Sequence, residues 1–173
     1  MKKLFLFIAM LAIGMMAMAQ NPLSYDFVVQ KEGVPATQIY DRVMDWIATN
    51  FKSAGGDFYH DKESLTLTKD AAVDYEPGGL AISCYKGTLT YKLKVQCRDG
   101  RFKVQLTNFT HANLPKNSAS CNLGLLLSEP QRLKNGKYDE KVWNELKALA
   151  EAQVEIYRNA FENMSFDTEE DNW

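Results

Sequence analysis

The segment YKLKVQCRDGRFKVQLTNF, residues 91–109, predicts two β-strands joined by a two-residue turn. Asp99-Gly100 is a pair typical of a type I′ turn, whose backbone twist matches that of the flanking strands. With this turn, each apolar residue of one strand faces an apolar residue of the other. The predicted pairs are Cys97–Phe102, Val95–Val104 and Leu93–Leu106. A slip of one residue would break all of them, so the segment predicts both the register and the buried face.

The opposite face of this hairpin is basic and polar, with Asp99 as the only acid nearby in the segment. We call its cations the cationic strip: Lys92, Lys94, Arg98, Arg101 and Lys103. One interpretation is a partner-binding face for a protein, an acidic glycan or a lipid phosphate. The other is a solvated sheet face whose lysines discourage edge-to-edge pairing with other strands.

The chain begins with the pattern of a secretory signal peptide, MKKLFLFIAMLAIGMMAMA, residues 1–19. Two lysines precede a short apolar run, and Ala17-Met18-Ala19 is the small-x-small pattern of a cleavage site. The run is short for a membrane span, and no cysteine follows the cleavage site to carry a lipid. We therefore predict an exported protein, periplasmic or secreted, that begins at Gln20 and has no membrane span.

The charge balance argues against nucleic acid as a partner. Removing the signal peptide takes two of the 20 basic residues and none of the 22 acidic ones, so the formal net charge changes from −2 to −4. Affinity for nucleic acid rests mainly on a positive field that neutralises phosphates. We predict no nucleic-acid binding.

The rest of the sequence predicts a two-layer α+β domain. The predicted elements, in order, are a strand (24–30), a helix (35–51), strands within 57–61 and 64–73, a strand from Leu80 to Cys97, a strand from Arg101 to His111, and a helix from about Asp139 to Met164. A single antiparallel sheet of about five strands with both helices on one face buries the apolar sides of all of them. The predicted layout is a signal peptide (1–19), one domain (20–165) and an acidic tail (166–173).

Two further regions admit a functional interpretation. Aromatic residues point to the space between helices and sheet, where they either fill a core or line a site for a small apolar ligand, as in a carrier protein. They are Trp46, Phe51, Tyr91, Phe102, Trp143, Tyr157 and Phe161. The connection 112–137 is long and irregular, and its LGLLL segment is a second possible interaction surface.

No catalytic, cofactor or metal site is predicted. His60 and His111 are the only histidines, and each is expected at the surface or at a strand end. Asp57 and Asp61 share a strand face but have no histidine or cysteine cluster with them. EPGGL, residues 76–80, lacks the Gly-Lys-Ser/Thr of a phosphate loop.

Three cysteines in an exported chain allow one disulfide and leave one thiol. If the strand from Leu80 is continuous, Cys84 and Cys97 lie too far apart along it to be bridged. The extended hairpin register places Cys84 opposite Pro115, near Cys121. We therefore predict Cys84–Cys121 as the pair if a disulfide forms, with Cys97 buried.

Taken together, these features resemble a family of small exported proteins from Bacteroides-type bacteria, catalogued as a domain of unknown function with a TATA-binding-protein-like fold. The resemblance covers Tyr25 to Met164 and rests on the helix IYDRVMDWIATNF, the turn YHDKES, the hairpin and the long last helix. It implies a fold and a compartment but no activity. The TATA-binding protein uses its open sheet face and apolar wedges on DNA. Here that face would offer only Phe109 as a wedge, so the fold does not transfer that function.

Overall fold

The computed structural model describes residues 21–51, 57–117, 119–130 and 137–166. The predicted signal peptide and the acidic residues after Phe166 lie outside these ranges. The predicted layout of signal peptide, domain and tail therefore stays a prediction.

The described residues form six strands, two α-helices and two short 3₁₀ turns. These are β1 (Tyr25–Gln30), α1 (Ala36–Asn50), β2 (Phe58–Asp61), β3 (Thr66–Tyr75), a 3₁₀ turn (Leu80–Tyr85), β4 (Gly87–Arg98), β5 (Arg101–Asn113), a second 3₁₀ turn (Ala119–Cys121), β6 (Gly124–Leu125) and α2 (Lys137–Glu162). Most predicted elements are present within a few residues of their expected bounds.

All strands belong to one antiparallel sheet in the order β1-β5-β4-β3-β2, with β6 paired to the end of β5. The buried residues of both helices join those of one sheet face in a single core. The other face carries the polar residues of the alternating pattern. The predicted α+β class, with a single antiparallel sheet and two helices, is confirmed.

The predicted hairpin register is also confirmed, because Cys97 pairs with Phe102, Val95 with Val104 and Leu93 with Leu106. The predicted turn type is wrong. Gly100 has a positive φ of 73°, whereas Asp99 is not among the residues with positive φ, and a type I′ turn needs both.

A β-bulge interrupts the hairpin further from the turn. The register shifts between Thr90 and Lys92, so Tyr91 faces both Asn108 and Phe109. Asn108 takes a φ of 58°, which asparagine tolerates better than most residues. Without this extra residue the alternation would point Asn108 into the core. Phe109 is fully buried instead and stacks on Tyr91 with ring centroids 5.3 Å apart, so its predicted place on the open face is wrong.

The predicted strand from Leu80 is shorter than expected, because Leu80–Tyr85 forms a 3₁₀ turn and β4 begins at Gly87. At Gly87 the backbone of β4 approaches β5 so closely that a Cβ atom would overlap the carbonyl oxygen of Ala112. The LGLLL segment contributes Leu123 and Leu126 to the core, and Leu125 of β6 remains 40% exposed.

The two helices cover the sheet with the apolar stripes that their sequences predict. The buried residues of α1 are Ile39, Tyr40, Val43 and Ile47. The α2 stripe expected from the sequence is buried: Trp143, Leu146, Ala150, Val154, Tyr157 and Phe161. Trp46 and Phe51 are half-buried and pack against the same core, so the helices meet each other as well as the sheet.

We expect Gly87→Ala to destabilise the domain by about 2–3 kcal/mol, because the added methyl would meet backbone that can move only by shifting the strand pairing. Gly78→Ala is the matched control, since a Cβ at Gly78 meets no atom within 4 Å and its φ is ordinary. Urea unfolding of both variants measures the difference. Equal unfolding free energies for the two variants would contradict the close approach at Gly87.

Candidate functional site

The candidate site is the sheet face that the helices leave uncovered. Strand alternation places all five residues of the cationic strip on this face, since their neighbours in sequence are buried on the other side. The pairing of β1 with β5 and of β3 with β4 places side chains of β1 and β3 next to the cationic strip. The strip therefore lies in the middle of the sheet, on β4 and β5, with a flanking strand on each side.

Two of the five cations are neutralised by these flanking strands. Lys103 lies 2.8 Å from Asp26 of β1, and Lys92 lies 2.9 Å from Asp70 of β3. The hydrogen bond to Asp70 raises the pKa of Lys92 above its ordinary value. Asp26 and Asp70 therefore lie beside the strip in addition to Asp99, which the sequence of one hairpin does not show.

The other three cations, Lys94, Arg98 and Arg101, form no ion pair within the described ranges. Arg98 and Arg101 are direct cross-strand partners at the end of the hairpin, and we call them the arginine pair. Like charges that face each other across two strands are unfavourable unless an anion lies between them. The open face thus carries a pair of guanidinium groups that no described residue neutralises.

A surface depression of about 240 Å³ lies next to the arginine pair. It is lined by both arginines and by Val28, Gln96, Phe102 and Lys103. Val28 is a large apolar residue left 48% exposed on the open face. Cations beside an exposed apolar side chain are suited to a ligand that carries both an anionic group and apolar surface.

The backbone beneath the arginine pair is held in place by the segment between β1 and α1. The Lys31 amide donates to the Gly100 carbonyl at 2.7 Å, and the Gly100 amide donates to Val34 at 2.9 Å. Asp99 accepts a hydrogen bond of 2.8 Å from the Ala36 amide at the start of α1. Because Pro35 cannot cap that helix with its side chain, Asp99 supplies an anion where the helix dipole favours one. The Asp99 carboxylate thus caps the N-terminus of α1.

The two histidines differ from each other in their surroundings. His60 is exposed, and its Nδ1 lies 3.3 Å from the Tyr40 hydroxyl. His111 is fully buried near the end of β5, so of its two expected positions, at the surface or at a strand end, it takes the second. The bulge causes this burial, since it turns Phe109 and His111 inward together.

Hydrogen bonds hold the buried His111 ring in one neutral tautomer. Its Nε2 lies 2.9 Å from the Tyr85 carbonyl, which can only accept, and its Nδ1 accepts from the Leu123 amide at 3.2 Å. Burial lowers the pKa of His111 below its ordinary value. Close by, the Tyr85 hydroxyl donates to the buried Asp139 carboxylate of α2 at 2.5 Å. The amino-acid sequence gives no sign of this polar cluster, because its members are far apart along the chain.

A disulfide joins Cys84 and Cys121, whose Cα atoms are 5.8 Å apart. The predicted neighbour Pro115 is wrong, because Cys84 lies in the first 3₁₀ turn and not on an extended strand. The disulfide and His111 connect the same two segments, one around residue 85 and one around residue 122. Cys97 is a buried free thiol, and burial raises its pKa to about 12, which keeps it unreactive.

The described ranges show no cluster of three or more metal-ligating side chains. Asp57 accepts a hydrogen bond from the Tyr59 hydroxyl, and Asp61 accepts three from Glu63 and Ser64 in the β2–β3 turn. Both carboxylates thus have local structural partners.

Aromatic rings occupy the space between sheet and helices in which a carrier would hold an apolar ligand. Phe161 packs edge-on against Trp46 and Phe102, with ring centroids 4.9 Å and 5.5 Å away. The Tyr157 and Tyr91 hydroxyls are 2.9 Å apart within the same core.

Of the helices in the described part of the chain, none is both long and apolar enough to cross a membrane.

A family model described as a domain of unknown function (DUF4468) with TBP-like fold matches residues 25–112. A TBP-like protein from Parabacteroides distasonis ATCC 8503 has a similar solved structure, with 14% identity, a TM-score of 0.61, and coverage of 83% of this chain and 95% of that one. A DUF4468 family protein from Bacteroides ovatus ATCC 8483 has 16% identity, a TM-score of 0.50, and coverage of 85% and 90%. At these identities the two structures show the fold alone. No curated protein matches the chain in sequence.

We expect the double variant Cys84→Ser/Cys121→Ser to lose about 3–4 kcal/mol of unfolding free energy, since the disulfide closes a loop with a sequence separation of 37. Urea unfolding with and without reductant measures this. Reductant should lower the stability of the wild type to that of the variant and leave the variant unchanged. Alkylation of Cys84 in the unreduced protein would contradict the disulfide.

We expect acid to destabilise the domain partly through His111. Its folded pKa lies below the unfolded value of about 6.5, so its contribution is present above that pH and is lost as the pH falls towards the folded pKa. Between pH 7.5 and 5, His111→Gln should lose less unfolding free energy than the wild type. An NMR titration that finds the His111 ring protonated at pH 6.5 would contradict the buried neutral tautomer.

Proposed function

The chain belongs to DUF4468, a family of domains of unknown function with a TBP-like fold, and because the family name gives no activity, we propose a function from the site itself. We propose that the protein is an exported, non-catalytic binding module of the cell envelope. Its cationic strip is the surface that binds an acidic protein or glycan. The observation that carries this proposal is the arginine pair, which forms no ion pair with any residue that the structure describes, while Lys92 and Lys103 are neutralised by Asp70 and Asp26.

Export is supported by the signal-peptide pattern of residues 1–19 and by the Cys84–Cys121 disulfide, which persists in an oxidising compartment. A non-catalytic role is supported by the histidines. His111 is locked as a neutral group in the core, and His60 is exposed, with its Nδ1 beside the buried Tyr40 hydroxyl and no carboxylate hydrogen-bonded to it among the described residues. General acid–base catalysis needs a titratable group within reach of a substrate.

The carrier function is the alternative, and the ring packing argues against it. A carrier needs an apolar cavity between sheet and helix that matches its ligand. The rings of Phe161, Trp46 and Tyr157 contact one another at that place, with ring centroids between 4.9 Å and 6.0 Å apart. An apolar ligand would have to displace them.

The arginine pair should decide the binding of an acidic polymer. We expect the mature chain, from Gln20 onwards, to bind poly-L-glutamate or an acidic polysaccharide such as polygalacturonate, and to bind more weakly as salt is raised. Arg98→Glu/Arg101→Glu should weaken binding by about tenfold or more, because it replaces attraction by repulsion beside the depression that the two arginines line. Fluorescence anisotropy of a labelled polymer measures the dissociation constants.

The matched control is Arg42→Glu/Lys116→Glu, which changes the net charge equally at two exposed cations away from the open face. This control should lower affinity by less than about threefold. An equal loss in both double variants would reduce the effect to net charge and overturn the proposed site.

A further inference from the structure

The last described residues of the chain are fastened beside the tip of the hairpin. The Lys31 ammonium group donates hydrogen bonds of 2.8 Å to the carbonyls of both Glu162 and Met164 at the end of α2. The Gln38 side chain donates to the Phe166 carbonyl at 3.2 Å, and the Lys31 ammonium lies 5.3 Å from the centre of the Phe166 ring. These contacts fix the point from which the chain continues after residue 166.

Lys31, which fastens the end of α2 through its ammonium group, is also bonded to the hairpin tip. Its backbone amide donates to the carbonyl of Gly100, the residue before Arg101. A surface depression of about 770 Å³ runs round the hairpin tip, and its lining includes Ala36 at the start of α1 as well as Arg98 and Arg101. It connects the region of α1, where Phe166 is held, with the cationic end of the open face.

The sequence that follows Phe166 is complementary to this face. Residues 167–173, DTEEDNW, contain four acidic residues and no basic one. They also contain Trp173, an apolar match for the exposed Val28. Seven residues reach at most about 23–25 Å, which is enough to pass round the end of one sheet layer.

Building on the proposed function, we propose that the arginine pair binds a short acidic peptide, and that residues 167–173 of this chain are its first occupant. An external acidic partner then competes with the chain's own segment. Binding of either one places carboxylates between two guanidinium groups that otherwise repel each other.

The energetics of such a contact are modest. A tethered segment acts at an effective concentration of the order of millimolar, so a weak peptide site is substantially occupied when its dissociation constant is about 0.1–1 mM. Two acidic residues, Glu32 and Asp99, also line the depression at the tip. Because the Asp99 carboxylate accepts a hydrogen bond from α1, Glu32 is the acid that the segment has to avoid.

The test compares the mature chain, from Gln20 to Trp173, with a chain that ends at Phe166. We expect the deletion to shift the amide NMR resonances of Val28 and of residues 98–103, while those of the α2 core stripe stay in place. The peptide DTEEDNW added in trans should move the shifted resonances back towards those of the longer chain. A salt concentration of 0.5 M should give the longer chain the spectrum of the shorter one.

A second form keeps the length of the chain and removes its charge, with Asp167→Asn, Glu169→Gln, Glu170→Gln and Asp171→Asn together. We expect this form and the deletion to bind poly-L-glutamate about twofold to tenfold more tightly than the mature chain, because competition is removed. Unchanged resonances at residues 98–103 in both forms would overturn the inference.

The failure of this inference can be distinguished from the failure of the proposed function. If poly-L-glutamate binds all three forms equally and Arg98→Glu/Arg101→Glu abolishes that binding, the binding face stands and the occupant is overturned. If the chain that ends at Phe166 binds no acidic polymer, both are overturned.

Discussion

The pairing of β4 with β5 is the constraint on which the rest of this structure depends. Since side chains alternate along a strand, this register decides that Val95 and Val104 face the helices while Lys94 and Lys103 face away. β1 and β3 add to the outer sides of the same hairpin. The bulge opposite Tyr91 reverses the alternation of β5 and thereby buries both Phe109 and His111. One hairpin thus determines the aromatic core, the cationic face and the buried histidine.

The parts of the fold that follow from local patterns could be predicted from sequence. The hairpin register follows from three facing apolar pairs, and both helices follow from apolar residues at helical spacing. Three features could not be predicted because tertiary contacts decide them. The turn at Asp99 departs from type I′ where Lys31, Val34 and Ala36 bond to it. The first six residues of the strand expected from Leu80 form a 3₁₀ turn instead, which the disulfide from Cys84 joins to Cys121. The extra residue at Asn108 leaves no trace in an alternating pattern until the partner strand is known.

The candidate site was predictable in position but not in charge. Alternation along one hairpin is enough to place five cations on one face. Which of them are neutralised depends on Asp26 and Asp70, whose strands lie far away in sequence and whose registers cannot be read from the hairpin. The difference matters, because exposed ion pairs contribute little to stability but remove most of the local field that attracts a partner.

Different kinds of contact stabilise the two ends of the β4–β5 hairpin. At one end, His111 of β5 bonds to Tyr85 and to Leu123, and the Cys84–Cys121 disulfide joins the same two segments. Tyr85 in turn donates a hydrogen bond to Asp139 of α2. At the other end, backbone hydrogen bonds hold the tip rigid while the side chains of Arg98 and Arg101 remain exposed. A ligand at the tip therefore has to order only those side chains, at a cost of about 0.5–1.5 kcal/mol each, and not the backbone. The Cα atoms of cross-strand partners lie about 5.5 Å apart or less, so the two long arginine side chains can converge on one carboxylate. A backbone held by hydrogen bonds, together with two guanidinium groups that no described residue neutralises, favours an anionic ligand over an apolar one.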